Sequence, residues 1–168
     1  MSAGALIVPG SVAGASSPAL YGGLRQEFVT LRLNDQLFGI SVMAVQDVLR
    51  RQPISPIPLA PEIVAGSLNL RGRIVTAIDL RRRLGMGDYP NPERMMKVVV
   101  EYQSELFAFM VDNVGDVMIL EMNRFEKTPA NIDTLWRGVS AGVFKLDQEL
   151  LVILDVGAVV DGKAVQHG

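Results

Sequence analysis

The sequence predicts an all-β protein built as two small barrels that lie side by side. First, residues 29–49 resemble residues 98–118 at a constant offset of 98 − 29 = 69 residues, and residues 75–80 reappear in looser form as residues 151–156. Second, many short strand-like runs are separated by turn residues along the chain. A repeat within one chain indicates repeated structural units, and short strands with frequent turns are typical of closed or nearly closed β architectures.

The first half begins with a predicted hairpin. Residues 27–33 alternate between apolar and polar types, Asn34, Asp35 and Gln36 supply a turn, and residues 37–41 form the returning strand. One helical turn is expected over residues 42–46. A strand should follow over residues 47–57, and the prolines at 53, 56 and 58 favour an edge position or an extended loop for it.

Three further elements complete the first half. Pro61 at its start and Gly66 beyond its end predict a short helix over residues 61–66. A buried strand is expected over residues 73–80. A brief helix with a C-terminal glycine should cover residues 81–85.

The second half repeats the same plan. Its opening hairpin turns at Gln103 and Ser104, and a polar loop is expected over residues 122–137. The predicted strands cover residues 97–102, 105–111, 116–121, 138–146 and 149–155. Neither barrel alone has a large core, so we expect an apolar seam shared between the two.

The composition excludes several classes of function. The 168 residues carry 16 Lys and Arg against 18 Asp and Glu, and the sequence pI of about 5.4 gives no basic field for nucleic acid. Cysteine is absent, and His167 is the only histidine. Thiolate chemistry, Cys/His zinc sites and serine–histidine nucleophiles are therefore excluded from the fold. We expect no enzyme, no catalytic residue, no cofactor and no metal site.

The chain ends predict tails around one folded unit. Residues 1–26 are expected to be a flexible N-terminal tail, residues 27–161 the domain, and residues 162–168 a C-terminal tail. The N-terminal segment lacks the basic start and the apolar length of a secretory signal. No apolar run approaches the roughly 20 residues needed to span a bilayer, so we expect a cytoplasmic protein without direct membrane insertion.

The charged residues near the predicted strand ends favour structural roles. Asp79 and Asp155 occupy equivalent places in the two halves, and each is expected to cap the helix or turn that follows it. Asp112 and Asp116 are interpreted in the same way. The arginines at 81–83 are interpreted as a solvated helix face rather than a phosphate site.

One segment has the features of a recognition surface. Gly66 and Gly72 bracket an alternating polar and apolar run, so the backbone bends at both ends. Asn69 and Arg71 should lie on the face opposite Leu68 and Leu70.

This segment resembles the signature of the CheW family. The run Gly-x-x-Asn-Leu-Arg-Gly over residues 66–72 is followed by Ile-Val at 74–75 and by Ile-Asp-Leu-Arg at 78–81. The flanking residues 45–48 and 111–117 resemble the same family in the same order. The resemblance covers about residues 27–161.

The resemblance implies a noncatalytic scaffold or adaptor in bacterial chemotaxis. The family has two five-stranded barrels, which would correspond here to roughly residues 27–90 and 95–155, with a hydrophobic seam between them. It implies two protein partners: the regulatory domain of the histidine kinase CheA, and the cytoplasmic tip of a chemoreceptor, whose helical hairpin binds a groove between the barrels.

The resemblance also implies a set of receptor- and kinase-binding residues. Asp47 stands where the family often has Glu, so a pairing with Arg71 would have to span a shorter side chain, and Ala108 stands where Gly is common. Plain core packing is the alternative role for the aliphatic members. The predicted binding residues are Val42, Val45, Asp47, Gly66, Asn69, Arg71, Gly72, Met96, Val114 and Val117.

Three alternatives accompany this interpretation. Two belong to the same class: the adaptor portion of a CheV-like protein, and a free homologue of the kinase's own regulatory domain. The third is a small-ligand-binding or enzymatic β-barrel that uses the seam as a pocket. A deep polar-lined cavity would favour the third, whereas an open apolar groove would favour the adaptor.

Overall fold

The computed structural model describes residues 24–89 and 91–161. Within these residues no helix is long and apolar enough to cross a bilayer. Ten strands dominate: β1 Arg25–Leu33, β2 Gln36–Ser41, β3 Val45–Leu49, β4 Val64–Leu70, β5 Arg73–Asp79, β6 Met96–Tyr102, β7 Glu105–Val111, β8 Asn113–Glu121, β9 Ser140–Lys145 and β10 Leu150–Leu154. The helices are α1 Leu80–Arg83, α2 Thr134–Val139 and α3 Val156–Val160, with 3-10 turns at Val42–Ala44, Pro92–Arg94 and Met122–Arg124.

The strands form two five-stranded sheets whose order reflects the duplication. Sheet A runs β8-β1-β2-β10-β9 and sheet B runs β3-β6-β7-β5-β4. Adding five to each strand number of sheet B, with the count restarting at β1 after β10, gives the strand order of sheet A. The all-β class and the repeated plan are therefore confirmed.

The barrels expected from the sequence are replaced by open sheets that exchange strands. Along the described chain, no ladder joins β8 to β9 in sheet A or β3 to β4 in sheet B. Each sheet combines a two-strand hairpin from one half with three strands from the other half. Neither sheet therefore corresponds to one of the predicted barrel units at residues 27–90 and 95–155. The predicted tails, residues 1–26 and 162–168, lie outside the described residues except for residues 24–26.

Three apolar clusters hold this arrangement together. The largest lies between the sheets and confirms the expected seam; it includes Phe38 from sheet A and Phe109 from sheet B, both fully buried. A second cluster around Phe28 and Phe144 lies within sheet A. A third, containing Leu68 and Val99, lies within sheet B. Each sheet thus buries both of its faces over much of its length.

Two predictions of secondary structure between residues 61 and 137 were wrong. Residues 61–66 form no helix: a turn in which the Val64 amide donates to the Pro61 carbonyl leads directly into β4. Gly66 was expected just beyond the end of that helix, but it lies inside β4 at a register shift, where it is part of a β-bulge. The loop expected over residues 122–137 includes the start of α2, which Asp133 caps by accepting the Leu135 amide at 2.8 Å.

The capping roles of the two equivalent aspartates are confirmed. Asp79 accepts the Arg82 amide at 3.0 Å at the start of α1, and Asp155 accepts the Ala158 amide at 3.1 Å at the start of α3. Burial raises the pKa of Asp79. The two aspartates therefore cap two different helices.

The arginine run is not the solvated face that the sequence predicted. Arg81 binds the Asp112 carboxylate through two hydrogen bonds of 3.0 and 2.7 Å and lies 4.8 Å from the centre of the Tyr89 ring. Asp112 therefore has the predicted structural role, although it caps no helix: it pairs with Arg81 and accepts the Asn34 backbone amide at 2.7 Å. Asp116 lies within β8. Arg83 is buried and reaches the last turn of α3.

Gly66 is predicted to be essential for stability. A Cβ there would lie 2.3 Å from the Ser55 carbonyl oxygen, and its φ of 152° disfavours other residues. We expect Gly66→Ala to lower the free energy of unfolding by about 2 to 3 kcal/mol in thermal unfolding. Gly87→Ala is the control, because Gly87 also has a positive φ but its Cβ would meet nothing within 4 Å. Equal losses in the two variants would contradict a steric role for Gly66.

Candidate functional site

A β-bulge determines which way the residues of β3 point. Val45 lies opposite Val100 of β6, but Asp47 lies opposite Val99, so β3 has one extra residue at this place. Paired residues of adjacent strands project to the same face of a sheet. The bulge therefore places Val45 and Val48 on the seam face of sheet B, while Asp47 projects to the opposite face.

The equivalent bulge occurs in β8. Val114 lies opposite Leu31 of β1, and Val117 lies opposite Val29, with one extra residue of β8 between these pairs. The Thr30 hydroxyl donates to the backbone carbonyl of Asp116 at 2.6 Å and fixes the bulge. The two valines, three residues apart, thus share the seam face of sheet A.

The two bulged strands each place two valines on the seam face of their own sheet. We call Val45, Val48, Val114 and Val117 the seam surface. Val45 and Val114 are half-buried and pack against the seam core, whereas Val48 is 37% exposed and Val117 53% exposed. Strand β8 approaches β6 across the seam, and β6 is also the ladder partner of β3.

Val48 is a candidate site residue that was not predicted from the sequence. It is identical to Val117 at the repeat offset of 69 (117 − 48 = 69), and that equivalence is the signal that identifies it. Sequence periodicity hides it, because Val45 and Val48 would point in opposite directions in a strand without a bulge.

The remaining apolar candidates lie around this surface. Val42 belongs to the 3-10 turn before β3, next to Met43, whose side chain is almost fully exposed. Met96 packs against the seam core at the start of β6, four residues along the strand from Val100. Ala108 is completely buried within sheet B, so it does not contact a partner directly.

The polar candidates meet on the other side of β3. Arg71 and Gly72 form the two-residue turn between β4 and β5, with φ of 51° and 87°, and the Asn69 side-chain oxygen accepts the Gly72 amide at 2.9 Å. Positive φ at both residues is the geometry of a type I′ hairpin turn. The turn directs the Arg71 guanidinium to the Asp47 carboxylate, at 2.9 Å.

This ion pair connects the two edges of sheet B. Asp47 belongs to the edge strand β3, and Arg71 follows the opposite edge strand β4. The pair therefore bridges the gap between these two strands, which are not neighbours in the sheet. The shorter aspartate side chain does reach Arg71. The hydrogen bond from Arg71 lowers the pKa of Asp47. Arg71 remains 74% exposed and Asp47 26% exposed, so the pair is available to a partner.

A cavity of about 830 Å³ lies near the other end of sheet B. Its wall includes the arginines Arg51, Arg82 and Arg94, together with Asp79. Asp79 is already occupied as the cap of α1 and as an ion-pair partner of Arg82 at 3.4 Å. In the described part of the chain, no group of three or more His, Cys, Asp or Glu residues is arranged to hold a metal. The cavity therefore supplies no acid–base pair.

Comparison with protein families matches residues 27–164 to the CheW-like domain. The chain belongs to the CheW family. This family consists of noncatalytic adaptors. The match covers both sheets, the seam surface and the Arg71–Asp47 pair.

Individual relatives agree with this membership. The chemotaxis protein CheW of Rhizobium meliloti is 28% identical over 134 residues, which cover 80% of this chain and 86% of the relative. The chemotaxis protein CheW of Thermotoga maritima is 26% identical, over 84% of this chain and 92% of the relative. The crystal structure of the scaffolding protein TtCheW from Thermoanaerobacter tengcongensis matches with a TM-score of 0.70 and 29% identity, over 78% of this chain and 89% of that chain.

Proposed function

We propose that this CheW-family protein is a scaffold that couples chemoreceptors to the histidine kinase CheA in bacterial chemotaxis. Its relatives are named as chemotaxis and scaffolding proteins. The protein would act in the cytoplasm, where it is recruited to membrane-associated receptor arrays. No observation favours the CheV-like, kinase-domain or ligand-binding alternatives.

The observation that carries this proposal is that β3 serves two different surfaces. One face of the strand contributes Val45 and Val48 to the apolar seam surface, and the other contributes Asp47 to the exposed ion pair with Arg71. The bulge at Gln46 separates the two. A single edge strand can therefore contact two partners at once from opposite faces.

We assign the receptor to the seam surface. An amphipathic helical hairpin carries an apolar stripe, and exposed valines at the edge of an apolar seam are side chains against which such a stripe is buried. Val48 and Val117 are the exposed members of the seam surface, and all four of its residues are valines.

We assign the regulatory domain of CheA to the end of sheet B that carries Arg71. Its guanidinium projects from a rigid two-residue turn, and the carboxylate of Asp47 orients it. An oriented, exposed arginine is a common centre of protein interfaces because its planar group forms several hydrogen bonds at once.

The test is a titration of both partners with the wild-type protein and Arg71→Ala. We expect simultaneous binding of a receptor-tip hairpin and the kinase regulatory domain by wild type, and a loss of about fivefold in kinase affinity in the variant. Stability should fall by only about 0 to 1 kcal/mol because the pair is exposed. The folded pKa of Asp47 is lowered, so this contribution is present at neutral pH and is lost as the pH falls through that pKa.

Arg73→Ala is the matched control, since Arg73 is an exposed arginine on the same hairpin. It should bind both partners like wild type. Competition between receptor and kinase for the wild-type protein would contradict the assignment of two separate surfaces.

A further inference from the structure

The cavity of about 830 Å³ lies where all five strands of sheet B have one of their ends. Strands β3, β5 and β7 finish there, and β4 and β6 begin there. Three separate segments each contribute one arginine to its wall: Arg51 from the loop after β3, Arg82 from α1 and Arg94 from the 3-10 turn before β6. The turn at Arg71 is at the opposite end of β4, so the cavity is separate from the ion pair with Asp47.

The floor of the cavity is apolar. It contains Ile54, Val64 and Ala65, which pack against the seam core, and the buried Met110. The fully buried Lys97 is the ladder partner of Met110, so its side chain projects to the same face of sheet B. An apolar floor with a few polar groups around it is the usual composition of a small-molecule site.

Two of the three wall arginines keep their charge available. Arg82 is balanced by Asp79 at 3.4 Å and by Asp88 at 3.2 Å. Among the described residues, Arg51 and Arg94 take part in no ion pair. A guanidinium group donates two parallel hydrogen bonds to a carboxylate or a phosphate, so these two side chains favour an acidic group between them.

Hydrogen bonds hold parts of the wall in place before any ligand arrives. The loop that carries Arg51 is attached to β4 by the bridge between Ser55 and Ser67, with two reciprocal backbone hydrogen bonds of 2.8 Å. Arg82 donates to the Glu62 carbonyl at 3.1 Å. A wall that is already ordered loses less entropy when a ligand binds.

We propose that this cavity binds a small organic anion with an apolar body. Arg51 and Arg94 would bind its acidic group, and the apolar floor would bury its body. The proposal adds a ligand site to the adaptor and does not depend on either protein partner. The site lies outside the seam, where a ligand-binding barrel would have had its pocket.

The first test is a calorimetric titration of the whole protein with four probes. Hexyl phosphate and hexanoate carry both an acidic group and an apolar body, whereas inorganic phosphate lacks the body and 1-hexanol lacks the charge. We expect at least one of the two hexyl anions to bind saturably at one site, at least about tenfold more tightly than either incomplete probe. Which hexyl anion binds more tightly distinguishes a phosphate ligand from a carboxylate ligand.

The second test removes the charges of the wall one at a time. Arg51→Gln and Arg94→Gln should each weaken binding of the tighter hexyl anion at least about fivefold. Both arginines are exposed, so Tm should change by no more than about 2 °C. Arg73→Gln is the matched control, because Arg73 is an exposed arginine on β5 outside the cavity, and it should bind within about twofold of wild type.

Each opposite result overturns the inference. Inorganic phosphate that binds as tightly as the hexyl anions would show that the apolar floor takes no part, and equal binding of 1-hexanol would show the same for the arginines. In amide NMR spectra of the wild-type protein, the bound anion should shift the signals of Gln52 and Ala65, and shifts confined to other regions would place the ligand elsewhere. None of these measurements involves receptor or kinase, so their failure leaves the proposed function unaffected.

Discussion

Val117→Glu is expected to fold like the wild-type protein and to bind the receptor-tip hairpin at least about 30-fold more weakly, equivalent to about 2 kcal/mol. Val117 is 53% exposed, so the glutamate reaches water in the free protein and the change should cost less than about 1 kcal/mol of stability. In the complex the same carboxylate would be buried against the apolar stripe of the receptor without a partner, which is costly.

Ile74→Glu is the matched control for this variant. Ile74 is also an exposed aliphatic residue of a strand, but it lies on β5, outside the seam surface. Its replacement should leave receptor affinity within about twofold of wild type. Unchanged receptor affinity in Val117→Glu would place the receptor elsewhere. An unfolded Val117→Glu would show that this valine belongs to the core.

Arg83→Ala is expected to lower the free energy of unfolding by about 3 to 4 kcal/mol, which corresponds to roughly 6 to 16 °C in Tm. The buried Arg83 guanidinium donates to the carbonyls of Val159 and Ala158 at 2.9 and 2.8 Å. Alanine would leave these carbonyls at the end of α3 without their donors and would open a cavity.

The control for Arg83 is its neighbour Arg82. This arginine is in the same short helix but is partly exposed, where it pairs with Asp79 and Asp88. Exposed pairs contribute about 0 to 1 kcal/mol, so Arg82→Ala should shift Tm by no more than about 4 °C. Similar losses in the two variants would show that Arg83 does not act through its buried hydrogen bonds.

The repeat was the most informative property of the sequence for the fold. It predicted the order of strands in each half and the equivalence of Asp79 with Asp155, and the structure confirms both. It did not predict that the halves exchange strands. Local patterns describe which segments are strands, whereas the parallel pairings of β2 with β10 and of β5 with β7 join distant segments of the chain.

Side-chain partners far apart in sequence were also hidden. Arg83 looked like part of a solvated face because nothing near it in sequence indicates that α3 packs there. The bulges were hidden for a related reason, since an extra residue in a strand leaves no change in composition. The motif around Arg71, by contrast, contains its own turn residue, and the sequence predicted the bend at Gly72. It did not predict that this bend joins β4 and β5 as a hairpin.

Reconstituted signalling tests the proposed scaffold function most directly. Kinase autophosphorylation would be measured with a receptor preparation, in the presence and absence of this protein and with no other adaptor. We expect receptor control of the kinase only when the protein is present, and loss of that control with Val117→Glu but not with Ile74→Glu. Equal receptor control in its absence would contradict the claim that this protein couples the two.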